Sequence, residues 1–391
     1  MTQPVYITQT ASFFPLDAVD NDRMEAVLGQ AGPRPSRARK VTLRGNGIRS
    51  RHYVIDPATG APRYTNAQLA AESVRRVARD AGFDLASLAC LSAGTTIADQ
   101  IIPGHGLMVH GELGADRLGP CEVVTTAGVC CAGATALKYA WLALRSGEHA
   151  NAIASASEVA SLMMRATRYA AETRRQADAL EAQPELAFEK DFLRWMLSDA
   201  SGAFLLQTQP APASAATAAP SLRIDWVDTF SYAGEMPVCM YAGATRNADG
   251  SLKGWLLHDH DSLGRESVFA VKQDVRLLNE NIAVCTIEKP LAQIIARRSL
   301  RADEIDWFLP HLSSEYFRGP AERALEKINF VIPREHWFTN LSTRGNTGSA
   351  SFYVMLDELA RGGRIRRGQK ILCFVPESGR FSTAFIHLTA V

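Results

Sequence analysis

The chain lacks the features of proteins that cross membranes, bind nucleic acids or are secreted. None of its apolar runs approaches the ~20 residues needed to span a bilayer. Its 42 Lys and Arg against 41 Asp and Glu leave a net charge of +1, without the basic excess of a nucleic-acid binder. The start of the chain has neither the basic nor the apolar part of a signal peptide. We therefore expect a cytoplasmic protein without membrane or nucleic-acid partners.

The chain also lacks the usual cysteine and histidine motifs of metal centres and disulfide scaffolds. Its seven cysteines are an odd number without framework spacing, which indicates a reducing compartment. It contains no Cys-x-x-Cys pair and no His-Glu-x-x-His run. These absences predict a protein that works with no metal ion and no bound cofactor.

What is present indicates a large, well-cored α/β protein. Hydrophobic residues make up 47% of the chain and charged residues 21%, and 391 residues exceed the usual size of one domain. Short apolar strands alternate with helical stretches, among them a helix predicted from Asn66 to Ala81 and a strand over 89–96. An Ala-, Pro-, Ser- and Thr-rich stretch over 207–220 resembles a connection between halves. We predict an N-terminal half over 1–210 and a C-terminal half over 221–391.

Two neighbouring thiols, Cys130 and Cys131, lie where a strand-like segment (121–126) meets an apolar helical one (136–144). The positive end of a helix dipole lowers a thiol pKa, and small flanking residues let a carbonyl approach the backbone N–H groups. These are the needs of an acyl-transfer nucleophile. A cysteine among small residues is also typical of a buried packing position. The rest of the chain decides between a nucleophile and a packing residue.

Two later segments complete a pattern with this one. An apolar strand over 306–310 ends at His311, and a polar loop over 340–351 runs into a small-residue helix start. The runs Cys131-Ala132-Gly133, Pro310-His311 and Gly-Asn-Thr-Gly-Ser-Ala-Ser (345–351) resemble the motifs of the β-ketoacyl-ACP synthase III branch of the thiolase superfamily. They occur in that family's order and approximate spacing. The run 47–51 is also similar to the family's Gly-Ile-x-x-Arg segment.

The resemblance implies a fold, an activity and partners. The fold is five-layered αβαβα, built from two duplicated βαβαβαββ halves, with the cysteine in the first half and the histidine and asparagine in the second. The activity is a decarboxylative Claisen condensation of an acyl thioester with a malonyl thioester. The substrates are acyl-CoA or acyl-ACP and malonyl-ACP. The family is homodimeric, and the strand that would pair across the dimer here lies at 123–126.

The resemblance also implies a role for each site residue. Cys131 carries the acyl group, because the Ala-Gly of the family motif follows it, whereas Cys130 is interpreted as a small buried hydrophobe. The backbone N–H groups of Cys131 and Gly379 hold the acyl oxygen, and His311 and Asn346 hold the enolate oxygen. In related branches the asparagine is replaced, since thiolases use a second cysteine and hydroxymethylglutaryl-CoA synthases a glutamate.

Some segments depart from the family pattern and favour a non-acetyl acyl group in specialised metabolism. The family's CoA-clamping Trp and Arg are missing near Val41 and Gly45, and the glycine-rich turn near the C-terminus keeps one glycine. Ile102, in a loop expected to reach into the partner's pocket, replaces a Phe found in several relatives. An inserted segment over 159–198 supplies Met163 and Met164, either as pocket wall or as part of a solvated surface helix.

Other functions compatible with the same residues stay open. One is a Cys-His acyltransferase that does not decarboxylate its substrate. Another is a condensing enzyme of the head-to-head olefin or dialkylresorcinol type. A non-catalytic partner subunit of a ketosynthase is a third, but the intact Cys131, His311 and Asn346 count against it.

Overall fold

The computed structural model describes residues 3–30, 37–169, 193–212 and 219–391. The strands are β1 Tyr6–Phe13, β2 Val19–Asp20, β3 Ser50–Arg51, β4 Cys90–Thr95, β5 Glu122–Ala127, β6 Asn151–Glu158, β7 Ala200–Gln207, β8 Leu222–Ser231, β9 Met240–Tyr241, β10 Ala244–Arg246, β11 Leu252–Gly254, β12 Lys272–Gln273, β13 Trp307–Pro310, β14 Lys370–Glu377 and β15 Ser382–Ala390.

The helices alternate with these strands. They are α1 Met24–Leu28, α2 Arg37–Asn46, α3 Asn66–Ala81, α4 His105–Leu113, α5 Cys131–Ser146, α6 Ala160–Met163, α7 His260–Arg265, α8 Val275–Ala283, α9 Lys289–Arg298, α10 Arg318–Lys327, α11 Leu341–Arg344 and α12 Ser351–Arg361. A π-helical segment, Val284–Glu288, joins α8 to α9.

One nine-stranded sheet runs through the molecule in the order β13-β14-β15-β8-β1-β7-β6-β4-β5. The strands of the predicted N-terminal half lie on one side of β1, and those of the C-terminal half on the other. The two sides meet where Tyr6 and Ile7 of β1 pair with Arg223 and Leu222 of β8. Parallel pairing of β4 with β5 and β6 leaves β5 at one edge, so the predicted dimer strand is an edge strand.

Helix α3 begins at a capping box and covers the N-terminal part of the sheet. The Thr65 side chain accepts from the N–H of Gln68, and the Gln68 side chain accepts from the N–H of Thr65. Val74 and Val77 on its apolar face are fully buried in a cluster with β4 and β7 residues, and Leu69 of the same helix is buried in a second cluster. This layer forms one outer face of the fold.

Helices α5 and α12 form the central layer, in a core cluster shared with residues of β6, β14 and β15. They approach closely because Gly133 of α5 has no side chain. A Cβ on Gly133 would lie 2.9 Å from Cβ of Ala156 and 3.1 Å from Cε2 of Tyr353. The Tyr353 hydroxyl also donates to the carbonyl oxygen of Gly133 at 2.9 Å. The start of α5 is thereby fixed between the two sides of the sheet.

Aromatic residues dominate the outer layer of the C-terminal half. Phe308, Phe374 and Phe385 stack across β13, β14 and β15, and Trp337 meets the edge of Phe308. Helices α9 and α10 contribute buried aliphatic residues to the same cluster. These helices cover the C-terminal part of the sheet, as α3 covers the N-terminal part.

The structure confirms the predicted fold class and the main local elements. The helix predicted from Asn66 to Ala81 has those bounds, and the other strands and helices differ from their predicted limits by a few residues. Within the described ranges, no helix is long and apolar enough to cross a membrane. Residues 170–192 of the inserted segment predicted over 159–198 lie outside the described residues.

Candidate active site

A cavity of about 250 Å³ lies between the two halves of the molecule. Its polar lining includes His311, Asn346 and Glu158, which come from segments far apart in the chain. The remaining wall is mostly apolar, with Val129, Val159, Leu162, Met163, Met164, Leu193, Met196, Leu197, Met240, Val271, Leu278, Ile282, Ile287, Leu312, Phe317 and Phe374. Such a surface accommodates an alkyl chain, with a few polar groups at the reacting end.

The two thiols lie at the predicted strand-to-helix junction but face different surroundings. Cys130 is the N-cap of α5, is half-buried, and lines the cavity. Cys131 is the first residue of α5 and is buried in the central core. Its Sγ donates to the carbonyl oxygen of Val375 at 3.3 Å, and Cys131 does not line the cavity.

The N–H group of Cys131, predicted to hold the acyl oxygen, already has a partner. Oε2 of Glu377 accepts the N–H groups of Cys131 and Val129, both at 3.0 Å. Gly379, the predicted second donor, lies beside them, and a Cβ there would be 3.0 Å from Cγ2 of Val129. Glu377 was not predicted from the sequence, although it lies in the same turn as Gly379.

The expectation of a lowered thiol pKa at this junction is wrong for the structure. Burial is the largest influence, and it raises the pKa of Cys131 and of Cys130 well above the ordinary value. The negative charge of Glu377 raises both further. The helix dipole is outweighed because a carboxylate sits at the helix N-terminus. Both thiols are therefore protonated at neutral pH.

His311 follows β13 and lines the cavity as a neutral imidazole. Its backbone N–H donates to the carbonyl oxygen of Phe374 at 2.8 Å, which continues the pairing of β13 with β14. Burial lowers its pKa to about 4. Among the described residues, no hydrogen bond joins its ring to either thiol. The neutral ring suits the predicted donor to an enolate oxygen.

Asn346 is held from both sides by backbone of the N-terminal half. Its N–H donates to Met196 at 2.9 Å, and its carbonyl oxygen accepts from Ser198 at 2.8 Å. Its Oδ1 accepts the N–H of Gly348 at 2.9 Å, which leaves the Nδ2 group as the donor available to a ligand. Gly345 precedes it at a φ of 70°, where a Cβ would be 2.9 Å from Cβ of Ser198.

Glu158 at the end of β6 is a second buried carboxylate that sequence reasoning did not assign. Its Oε1 accepts from the N–H and hydroxyl of Thr96, at 3.1 and 2.5 Å, and from the N–H of Ser349 at 3.1 Å. Burial raises its pKa. The sequence gives little sign of it, because its partners are 62 and 191 residues away.

The three predicted pocket residues have different positions. Met163 and Met164, from the described part of the inserted segment, line the cavity. Ile102 does not line the cavity of its own chain, and its side chain is 82% exposed. Thr96, Ile97, Ala98 and Asp99 from the same loop do line it. The contact of Ile102 with a partner subunit stays a prediction.

One group outside the cavity has metal-ligand chemistry. Cys90, Glu122 and His149 place ligand atoms within 4.8 Å of one another near the β5 edge. Glu122 already accepts hydrogen bonds from Tyr139 and His149, and burial raises the pKa of Cys90 to about 12. Hydrogen bonds therefore join Glu122 to Tyr139 and His149, and the Cys90 thiol lies beside them.

Comparison with known proteins supports the predicted resemblance. Residues 295–385 match the family described as the C-terminal part of 3-oxoacyl-[acyl-carrier-protein] synthase III. This region includes His311 and Asn346. The match is independent of the nucleophile region, which lies in the other half of the chain.

Solved structures share the fold along the whole chain. AbyA1, a tetronic acid condensing enzyme, is 18% identical with a TM-score of 0.72, and the match covers 99% of this chain and 100% of AbyA1. OleA of Xanthomonas campestris, with bound lauric acid and lauroyl-CoA, is 19% identical with a TM-score of 0.72, covering 100% of both chains. The 3-oxoacyl-[acyl-carrier-protein] synthase III of Aquifex aeolicus VF5 is 15% identical with a TM-score of 0.67, again covering 100% of both chains. The thiolase-like fold and the resemblance to synthase III condensing enzymes are confirmed.

Proposed function

We propose that the protein catalyses a decarboxylative Claisen condensation of an acyl thioester with a malonyl thioester. The observation that carries the proposal is the convergence of His311, Asn346 and the start of α5 at one apolar cavity. Neutral donors and a thiol at the end of an alkyl-binding cavity are what this reaction needs.

In the first half-reaction the Cys131 sulfur attacks the carbonyl carbon of the acyl thioester. A bond forms between that sulfur and the acyl carbon, and the bond to the carrier sulfur breaks. The thiol proton ends on the departing carrier thiolate, so the net charge is unchanged. We propose the neutral imidazole of His311, which lines the cavity, as the base that relays that proton.

In the second half-reaction the carbon–carbon bond to the malonyl carboxylate breaks. Carbon dioxide leaves, and the electron pair forms an enolate whose oxygen is held by His311 and by the amide of Asn346. The enolate carbon attacks the acyl-enzyme carbonyl and releases the Cys131 sulfur as a thiolate, which takes up one proton from solvent. Neutral donors favour this step because they stabilise a charge that develops in the transition state.

Cys130 is a second candidate for the acylated thiol, because it lines the cavity and Cys131 does not. Peptide mapping after loading with an acyl thioester identifies the labelled residue. We expect label on Cys131, retained in Cys130→Ala and lost in Cys131→Ala. Label that survives in Cys131→Ala and disappears in Cys130→Ala would transfer the role to Cys130.

The roles of His311 and Asn346 are tested by separating the half-reactions. Asn346→Ala should still form acyl-enzyme but release at least about a hundredfold less carbon dioxide from malonyl thioester. His260→Ala, at an exposed position on α7, is the control and should change neither step. Acyl transfer by the wild type without carbon dioxide release would instead favour the non-decarboxylating acyltransferase.

We propose a medium-chain acyl substrate rather than acetyl. The wall is apolar and includes the flexible side chains of Met163 and Met164. Each buried methylene contributes about 0.8 kcal/mol, so several more carbons favour a longer chain by orders of magnitude. The acylation rate should therefore rise with chain length beyond acetyl, and Ile102→Phe should shift the profile to shorter chains. An unchanged profile in Ile102→Phe would contradict the role of that loop.

We also propose that the working form is a homodimer paired through β5. This strand is an unpaired edge with half-buried to exposed residues, which is a pairing hazard in a monomer. Ile101, Ile102 and Leu107 nearby are more than half exposed. Light scattering at micromolar concentration should give twice the 42.6 kDa chain mass. A fully active monomer would contradict the proposal.

A further inference from the structure

Glu377 is a buried carboxylate with an unusual set of partners. Its side chain closes the end of β14, and the residue is 9% exposed. Its Oε2 accepts two backbone N–H groups, and no Lys, Arg or His among the described residues pairs with it. Burying a charge without a counter-ion is costly. A buried carboxylate kept under these conditions is typical of a functional position.

The contact between Glu377 and Cys131 lies directly behind the cavity wall. Pro376 and Ser378, on either side of Glu377, line the cavity, and so does Cys130 beside Cys131. Neither Glu377 nor Cys131 lines it. The carboxylate therefore ties the end of β14 to the start of α5 at the point where a substrate would have to reach the buried thiol.

Two backbone N–H groups that converge on one oxygen at 3.0 Å have the geometry of an oxyanion site. In the resting protein that oxygen is Oε2 of Glu377. We propose that Glu377 is a positioning residue that occupies the acyl-oxygen site, and that an acyl thioester must displace its carboxylate from the N–H of Cys131 before this thiol is acylated. The inference rests on the proposed function in taking Cys131 as the nucleophile.

The arrangement explains how a nucleophile can be kept unreactive until its substrate binds. With Glu377 in place, the adjacent negative charge and burial raise the pKa of Cys131, so that the sulfur stays a thiol. When the carboxylate leaves, the N–H group is free for the acyl oxygen and the repulsion of a thiolate decreases. Substrate binding and thiol activation are thereby coupled through one side chain.

Thiol labelling tests this inference without any acyl substrate. In Glu377→Gln the side chain keeps its size and an accepting oxygen but loses its charge. Alkylation by iodoacetamide, mapped separately to Cys130 and Cys131 between pH 6 and 10, should begin at Cys131 about one pH unit or more below the wild-type profile. Glu335→Gln, at an exposed position, is the matched control and should leave the profile unchanged. A Glu377→Gln profile that coincides with wild type, or moves to higher pH, would overturn the proposal.

A measurement on the wild-type chain covers the case in which the variant does not fold. In a crystal structure of the acyl-loaded protein, the acyl oxygen should lie about 3 Å from the N atom of Cys131, with Oε2 of Glu377 moved away. An acyl-enzyme in which Glu377 still accepts that N–H would refute displacement. Failure of malonyl decarboxylation would count against the proposed function alone, because neither measurement uses a malonyl substrate.

Discussion

Gly133→Ala is expected to damage both stability and acyl loading through one added methyl group. That methyl would lie 2.9 Å from Cβ of Ala156 and 3.1 Å from a ring carbon of Tyr353, and it would also meet the carbonyl oxygen of Ser349. Carbon atoms normally pack about 3.5–4.0 Å apart. Helix α5 would therefore have to move by about 1 Å.

The expected losses of stability and of acylation rate follow from the surroundings of Gly133. Ala156 and Tyr353 are fully buried, and the oxygen of Ser349 belongs to the backbone, so none of the three can give way cheaply. Overpacking of this kind costs about 1–3 kcal/mol. Gly133 is two residues from Cys131, and a misplacement of about 1 Å at a reacting group can cost about a hundredfold in rate.

Thermal unfolding and the rate of acyl-enzyme formation are the two assays. Gly264→Ala in α7 is the control, because a Cβ there meets nothing within 4 Å. An alanine in that helix should be neutral or should stabilise it by about 0.5–1 kcal/mol. If Gly133→Ala had the melting temperature and the acylation rate of the wild type, the close packing of α5 against α12 would not position the thiol.

Three further results are expected. The pKa of His311 is about 4 in the folded protein against an ordinary 6.5. As the pH falls, this imidazole is therefore protonated at a higher pH in the unfolded chain than in the folded protein. The stability that neutral His311 contributes is present above about pH 6.5 and is lost as the pH falls toward 4. Across this pH window, the Tm of His311→Gln should therefore fall less than the Tm of wild type. Thr65→Ala removes half of the capping box of α3 and should lower the stability by about 1 kcal/mol without changing acyl loading. Burial raises the pKa of Cys373 to about 12, so iodoacetamide should leave it unlabelled at pH 8 in the folded protein, and labelling there would contradict its place in the core.

The parts of the site that could be predicted from the sequence are those carried by short local motifs. Cys131, His311 and Asn346 each stand in a run whose neighbours restrict the backbone, as Gly345 does before Asn346. The structure places Cys130, His311 and Asn346 at one cavity and buries Cys131 beside Cys130. The helix from Asn66 to Ala81 has the bounds that its apolar spacing predicts. Local rules were sufficient where the chemistry and the packing depend on neighbouring residues.

The thiol environment could not be predicted, because it depends on contacts between distant segments. Glu377 lies 246 residues from Cys131, and Glu158 lies 191 residues from Ser349. No sequence motif around Glu377 or Glu158 predicts these contacts. The pKa of Cys131 is raised and not lowered as its place at a helix N-terminus predicts, because burial and the Glu377 carboxylate arise only in the folded chain.

The position of β1 has a consequence for the protein during its synthesis. Tyr6 pairs with Gln207 on one side and with Arg223 on the other, so β1 stands in the middle of the finished sheet although both of its partner strands follow it by about 200 residues. At about 5–20 residues per second, roughly 10–40 s pass before its first partner is made. Throughout that interval both edges of β1 lack their native partners, and an open strand edge can pair with another chain. Correct folding of the nascent chain therefore requires that these edges stay free until β7 and β8 have left the ribosome.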